Sequence, residues 1–522
     1  MLIQHLVDMS VIKTIIITIL SISTVVFVAL FGRLPAFRRT PIAFLHKLLT
    51  RSIPNAFIKV DTVLTGRRLT RGLYSTGHYL MFEKHPLVLI FFVGLQTGGE
   101  AAMIPALWPT LAIYHKFLIP ILVALPHYYL YLTATTSSAI IVPPAKVSGP
   151  PNGATTSPHN NSTALTDHNL PRPALAQTTA RFAPNSQATP DFGPSHHRAI
   201  HAYPYDYLLY HPGYFCSTCH HPKPPRSKHC SLCKACIQKA DHHCIWVNNC
   251  VGRNNYLYFL LLLVAITALL IYGTLLGWWF MRAHLDARFV GPLRVGHPEM
   301  NYWSSNTTWG EWFDRLAWAL MQDVRVGAVA LLCAMCTPLG AAFLGYHAYL
   351  LWAGMTTNEQ GKWGDWREDV ADEVVFRAEL GSLREGMGDG AGGKDGAERR
   401  LPRLGLYPML PPEVEPRAED VDWPPRRMVR SRCWSGDGDD GGEKYKAKHW
   451  YIRTRDGDQP ALHVKAEEAV ARGIQGGEVI DGEIEVDDHR WERVRDMRRE
   501  MDNIYDLGFW GNLLEVVLHR ER

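Results

Sequence analysis

The sequence predicts an α-helical polytopic membrane protein, with about five transmembrane helices and a cytosolic two-zinc cysteine-rich domain. Three observations lead there. Apolar runs of membrane-crossing length alternate with polar, low-complexity stretches, so the mean hydropathy of −0.10 averages two unlike populations. Seven of the ten cysteines crowd between Cys216 and Cys250. The first polar loop is strongly basic, although the net charge of all 522 residues is only +4.

Residues 14–32 are apolar and bracketed by Lys13 and Arg33, about the roughly 20 residues that cross a bilayer. A cleaved signal peptide would begin with basic residues. Here residues 1–10 carry no Lys or Arg, and Arg33, Arg38 and Arg39 follow the run. The expectation is a retained span with residues 1–13 in the lumen. Loop 33–85 holds ten Lys or Arg between Arg33 and Lys84, against Asp61 and Glu83, and the positive-inside rule puts it in the cytosol. A nucleic-acid-binding patch between two spans is the poorer reading.

Residues 86–108 form a second expected span, interrupted by Gly98, Gly99 and Glu100; the preferred place for Glu100 is the interface near the span's end. Residues 117–142 form a third, with Pro120 and Pro126 inside, which spans tolerate when neighbours satisfy the freed backbone groups. Residues 143–199 are rich in Pro, Ser, Thr, Asn and Ala and read as a disordered cytosolic linker. Residues 256–280 and 326–355 are the fourth and fifth spans. Between them, 281–325 reads as a lumenal loop carrying the sequon Asn306-Thr307-Thr308.

This topology leaves the cysteine cluster and the tail, 356–522, in the cytosol, where thiols stay reduced. Within the tail, Trp450 to Glu485 alternates apolar and polar residues as short strands do. Asp487 to Glu500 reads as a solvated helix, and Asn503 to Val517 as a docking segment.

The cluster uses C-x2-C pairs, Cys216/Cys219 and Cys230/Cys233, and an odd number of cysteines. That favours metal thiolates over a disulfide framework. Structural zinc takes four Cys or His ligands. Cys236 and Cys250 can each complete a site, and His229 and His243 can each supply a fourth ligand. Two Cys3His sites use eight ligands and leave Cys244 over. A RING-type cross-brace would end in a C-x2-C pair, but Cys244 and Cys250 are six apart.

Cys244 ends the run Asp241-His242-His243-Cys244. A neighbouring histidine activates a thiol by lowering its pKa or taking its proton, and a carboxylate fixes that histidine's tautomer. His242 is the expected base and Asp241 its orienting partner.

These residues resemble the DHHC cysteine-rich domain of protein S-acyltransferases, from Cys216 through Tyr256. Lys223-Pro224 and Asn248-Asn249-Cys250-Val251-Gly252 fit that pattern. Thr356-Thr357-Asn358-Glu359 resembles the family's TTxE motif, and residues 503–512, centred on Tyr505, its carboxy-terminal packing motif. Five spans and the TTNE-x2-KW run resemble the fungal Swf-type branch.

The resemblance implies the ligand sets Cys216, Cys219, His229, Cys236 and Cys230, Cys233, His243, Cys250. It implies Cys244 as the acyl-accepting nucleophile, activated by His242 and Asp241, in a protein S-palmitoyltransferase. The cofactors would be two structural Zn2+, with palmitoyl-CoA as donor. The partners would be the bilayer and membrane-protein substrates with juxtamembrane cysteines, not nucleic acid. The Swf-type branch implies a multi-pass protein of the endoplasmic reticulum membrane with a cytosolic active site. Lys223, Arg226 and Arg253 are candidate CoA-phosphate contacts. Two positions depart from the pattern, Lys228 where a His is common and Ile245 where a Pro is common; neither removes an expected ligand. The alternative function is a non-catalytic membrane-tethered zinc-binding module.

Overall fold

The structure, a computed structural model, describes residues 40–141, 192–212, 214–290, 308–381, 420–425, 446–454, 457–465, 479–480, 483–487 and 490–518, and positions 21, 25 and 28 singly. Apart from those three positions, the expected span 14–32 lies outside the described residues, as does the linker from 143 to 191. Among the described residues four helices are long and apolar enough to cross a membrane. The chain divides into two compact units, 1–127 with 264–341, and 128–263 with 342–522.

In the first unit the basic segment is helical: α1 (Pro41–Lys47), α2 (Ile53–Thr65) and α3 (Arg68–Phe82). Gly66 ends α2 in the left-handed region at φ 63°, where a residue without Cβ is least strained. The spanning helix α4 (Leu87–Leu107) follows, and α5 (Ile113–Thr135) begins in this unit. Pro105, Pro120 and Pro126 lie inside these helices. Met103 and Leu107 of α4 and Ile119 of α5 bury against Leu276 and Val326. Gln96 of α4 donates to Glu100 Oε1 at 3.0 Å and lies 3.2 Å from His127 Nδ1 of α5. Glu100 thus sits in a polar cluster within the helix pair.

Leu276 and Val326 belong to the remaining spans, α7 (Tyr256–Leu285) and α9 (Val324–Trp352). These approach closely at Gly277, where an added Cβ would stand 2.2 Å from Ala330 Cβ, the use spanning helices make of small residues. Within the expected lumenal loop lies a helix, α8 (Trp309–Leu320). Thr308 and Glu311 close a capping box on its first turn, satisfying amide groups a helix start leaves free.

The second unit differs from expectation in three places. The helix of span three stops at Thr135, and Ile140–Ile141 form strand β1. The linker ends early: Pro194–Ile200 is helix α6, with His196, Ala199 and Ile200 buried. Residues 487–500 are not one solvated helix. They contain the end of a strand, the short strand β13 (Glu492–Arg493) and one turn of helix, α11 (Met497–Glu500), while Trp491 and Val494 are buried.

Beyond the spans, α10 (Thr357–Ala371) leads to strand β8 (Val375–Glu379), which pairs antiparallel with β9 (His449–Arg453) and β13. A second tail sheet has the order β10 (Ala461–Lys465), β12 (Glu483–Asp487), β11 (Val479–Ile480). The first tail sheet buries its face against an aromatic run before the cysteine cluster: Tyr203, Tyr205, Tyr207 and Tyr210 pack with Phe376, Trp450, Trp491 and Tyr505.

Candidate active site and metal centres

Three short hairpins build the cysteine-rich domain. The first pairs β2 (Phe215–Cys216) with β3 (His221–Pro222), the second β4 (Lys228–Cys230) with β5 (Ala235–Ile237), the third β6 (His242–Cys244) with β7 (Asn249–Val251). Their registers repeat every 14 residues: Phe215↔Pro222, His229↔Cys236 and His243↔Cys250. Each turn closes through a residue at positive φ, His220, Lys234 and Asn248. Cys216, Cys230 and Cys244 occupy one equivalent place, at the start of the turn. The sequence itself carries this period, beneath the more conspicuous C-x2-C spacing.

The repeat explains the metal sites. Cys216 and Cys219 of the first turn meet the cross-strand pair His229 and Cys236 of the second hairpin, and Cys230 and Cys233 of the second turn meet His243 and Cys250 of the third. In each quartet the four ligand atoms lie within 4.8 Å of one another. The sulfur atoms stand 3.3–3.9 Å from His229 Nδ1 in one quartet and 3.4–3.7 Å from His243 Nδ1 in the other. A tetrahedron with zinc–sulfur bonds of about 2.3 Å has edges of roughly 3.8 Å, so both donor sets fit zinc. Amides of Cys219 and Cys233 donate to Cys216 Sγ and Cys230 Sγ at 3.4 Å, favouring the thiolate a metal needs.

The third turn has Val247 where the others have their second cysteine, and Cys244 joins neither quartet. It is buried. His242 Nδ1 lies 2.5 Å from Asp241 Oδ2. Burial alone would lower the imidazole's pKa, but the bonds to Asp241 and the contact with Cys244 outweigh it and push it up to about 9. Asp241 accepts the Thr357 amide at 2.7 Å and the Thr357 hydroxyl at 3.0 Å.

The residues of 356–359 thus divide their tasks. Thr356 caps α10 in a reciprocal box with Glu359, Thr357 holds Asp241, and Glu359 accepts from Arg226 at 2.7 and 2.6 Å.

The domain is fastened to its neighbours by amides. Asn249 Nδ2 donates to carbonyls of Thr133, Ala134 and Thr136 at the end of α5, where a helix leaves acceptors unused. Asn255 links Gly252 N to the Cys250 carbonyl. A Cβ on Gly252 would stand 2.5 Å from the Ser138 carbonyl. At the end of α9, Asn503 donates to the Ala353 carbonyl, and Asn512 donates to that of Trp352 while accepting from Leu507 N. Asn512 begins its contribution from α12 (Gly508–Leu518).

Arg226 is corrected. Expected as a CoA contact, it is 0% exposed, too deep to meet a soluble cofactor. Its guanidinium pairs with Glu359, approaches Glu515 at 3.7 Å, and stacks over Tyr505 and Tyr203. Lys239 completes this buried network at 2.7 Å from Glu515. Arg253 is turned toward Gln238, donating at 2.9 Å. Lys223 lines a cavity of about 960 Å3 that also reaches Asp241, His242, Lys228, Thr357 and Lys362. Sequence reasoning missed Lys228 and Lys362 as cavity cations.

Comparison with known proteins agrees with this geometry. The family model for DHHC palmitoyltransferase matches residues 210–364. The palmitoyltransferase swf1 of Emericella nidulans is 34% identical over 510 residues, covering 97% of both chains. The chain belongs to the DHHC palmitoyltransferase family, in its Swf-type branch. Palmitoyltransferase SWF1 of Neurospora crassa is 34% identical over 96% of this chain and 90% of its own. Palmitoyltransferase swf1 of Schizosaccharomyces pombe is 29% identical over 68% and 81%. The molecule is therefore a multi-pass membrane protein S-palmitoyltransferase, with acyl-CoA and protein substrates. The non-catalytic module gives way to this assignment.

Proposed function

We propose that Cys244 carries the acyl group. In the first step its sulfur attacks the palmitoyl-CoA thioester; the new S–acyl bond forms as the bond to CoA sulfur breaks, and the Cys244 proton passes through His242 to the departing thiolate. In the second, a substrate cysteine attacks the acyl-Cys244 thioester, gives its proton to His242 and leaves with the chain, and the proton returns to Cys244. One thioester replaces another at each step. Asp241, held by Thr357, keeps His242 oriented. The two Cys3His quartets would hold Zn2+, which would supply scaffold by tying neighbouring hairpins together, while Cys244, His242 and Asp241 carry the transfer.

The observation that supports this most directly is the position of Cys244: a knuckle cysteine with no metal partners, beside a His242–Asp241 pair. The cavity suits the CoA head, with Lys223 and Lys228 toward its phosphates. The acyl chain belongs among the spans, since each CH2 left in water costs about 0.8 kcal/mol. The basic 33–85 segment supports a cytosolic active site and tail with a lumenal 1–13. The Swf-type membership supports the endoplasmic reticulum as the location and substrates whose cysteines border a membrane span.

Purified protein incubated with labelled palmitoyl-CoA should acquire a hydroxylamine-labile label that Cys244→Ala abolishes while the zinc content stays unchanged. Label retained by Cys244→Ala would overturn the intermediate.

A further inference from the structure

The segment before α4 is not used by the acyl transfer, and its composition and exposure are unusual. On α2, Ile53, Phe57, Val60 and Leu64 recur at four-, three- and four-residue steps, one helical stripe, and all are exposed, by 52%, 44%, 55% and 75%. Asn55, Lys59 and Thr62 fall on the opposite side. On α3, Leu69, Leu73 and Leu80 share a stripe and are likewise exposed, while Arg71 and His78 fall opposite. Residues 40–86 carry Lys47, Arg51, Lys59, Arg67, Arg68, Arg71 and Lys84 against Asp61 and Glu83.

The two helices form a fixed corner. Asp61 is buried and accepts from the Thr70 amide at 2.7 Å, the Thr70 hydroxyl at 2.5 Å and the Thr65 hydroxyl. Isolated helices of 13 and 15 residues are marginal in water, and an apolar stripe along both needs an apolar surrounding.

Two features identify that surrounding. Only Glu83, Lys84, His85 and Pro86 separate α3 from the first residue of α4, so Phe82 lies within roughly 18 Å of the start of a membrane span. Away from the apolar stripes each helix carries cations, Lys59 on α2 and Arg68 and Arg71 on α3, which complement anionic headgroups.

We propose that α2 and α3 form an interfacial hairpin lying in the leaflet where α4 begins. Its leucine and valine stripes sit among acyl chains, and Lys59, Arg68 and Arg71 meet anionic phospholipid headgroups. The occupant of this face is the bilayer surface, and the hairpin makes the enzyme sensitive to its charge.

The test uses the full chain in nanodiscs of phosphatidylcholine alone or with phosphatidylserine, read by amide hydrogen exchange. Residues 53–82 should exchange at least about tenfold more slowly in the anionic discs, while α4 exchanges alike in both. Arg68→Glu with Arg71→Glu should return the hairpin to its rate in neutral discs. Leu69→Ser with Leu73→Ser, which keeps the charge, should remove the protection too. Arg71→Gln, too mild to unfold the hairpin, should give an intermediate rate. Equal exchange in the two bilayers, or variants that leave the protection intact, would overturn the proposal. So would protection in detergent that rises with protein concentration, since that assigns the face to a second copy of the chain.

Discussion

Two basic residues three apart in sequence have opposite fates. Lys223 borders the cavity and Arg226 is sealed between Glu359, Glu515 and two tyrosine rings. Removing one partner of a buried ion pair leaves an uncompensated charge and costs about 3–5 kcal/mol. Arg226→Ala should therefore lower the yield and melting temperature of folded protein, whereas Lys223→Ala should leave both intact and raise KM for palmitoyl-CoA about two- to fivefold. Asp206 gives a second residue-scale expectation. Its Oδ1 accepts from the amides of Leu208, Leu209 and Tyr210, yet burial outweighs those bonds and pushes its carboxyl up to about 6. Because that is above the unfolded value of about 3.9, the stability it contributes is complete below that value and is lost as pH rises through about 6. Asp206→Asn should then raise the melting temperature at pH 8, by the equivalent of about 1–3 kcal/mol, and leave it nearly unchanged at pH 4. The arginine's role was illegible in sequence because its partner lies 133 residues away, and Lys-Pro-Pro-Arg reads as solvated surface.

At the scale of elements, what could be read early was what is local. Eight ligands and one surplus thiol lie within 35 residues, so spacing and counting reach them. The hairpin register explains why the count comes out odd. Each turn donates two thiols to a metal whose other two ligands come from the next hairpin, and the third turn has Val247 in place of its second thiol. Val247→Cys should rebuild a C-x2-C turn around Cys244, the proposed nucleophile. Stoichiometric zinc should then suppress palmitoyl incorporation in that variant, a weak chelator that leaves both quartets loaded should restore it, and the unmodified enzyme should respond to neither treatment. The tail was less legible. Tyr203 through Tyr210 join Trp450, Trp491 and Tyr505 in one core across gaps of some 240 residues or more, and no local period announces such a pairing. The polar composition before residue 199 likewise gave no sign that Pro194–Ile200 is helical with three buried side chains.

For the molecule as a whole, the second hairpin supplies ligands to both quartets: Cys230 and Cys233 belong to one, His229 and Cys236 to the other. Loss of either metal should loosen the ligands of its neighbour. Titration with a strong chelator should therefore remove zinc in one cooperative step. Palmitoyl incorporation should fall in parallel, and residues 214–255 should become open to protease; two well-separated steps would contradict the shared hairpin. The 14-residue period also says where such an array must stop. One more repeat would call for a histidine at 257 and a cysteine at 264. The chain has Leu257 and Val264 there, both within the spanning helix α7. Cys244, the proposed acyl carrier, is thus the unfilled last place of a metal-binding series cut short by a membrane helix. An open valence of the scaffold and the first turns of the bilayer anchor come together within a dozen residues of chain.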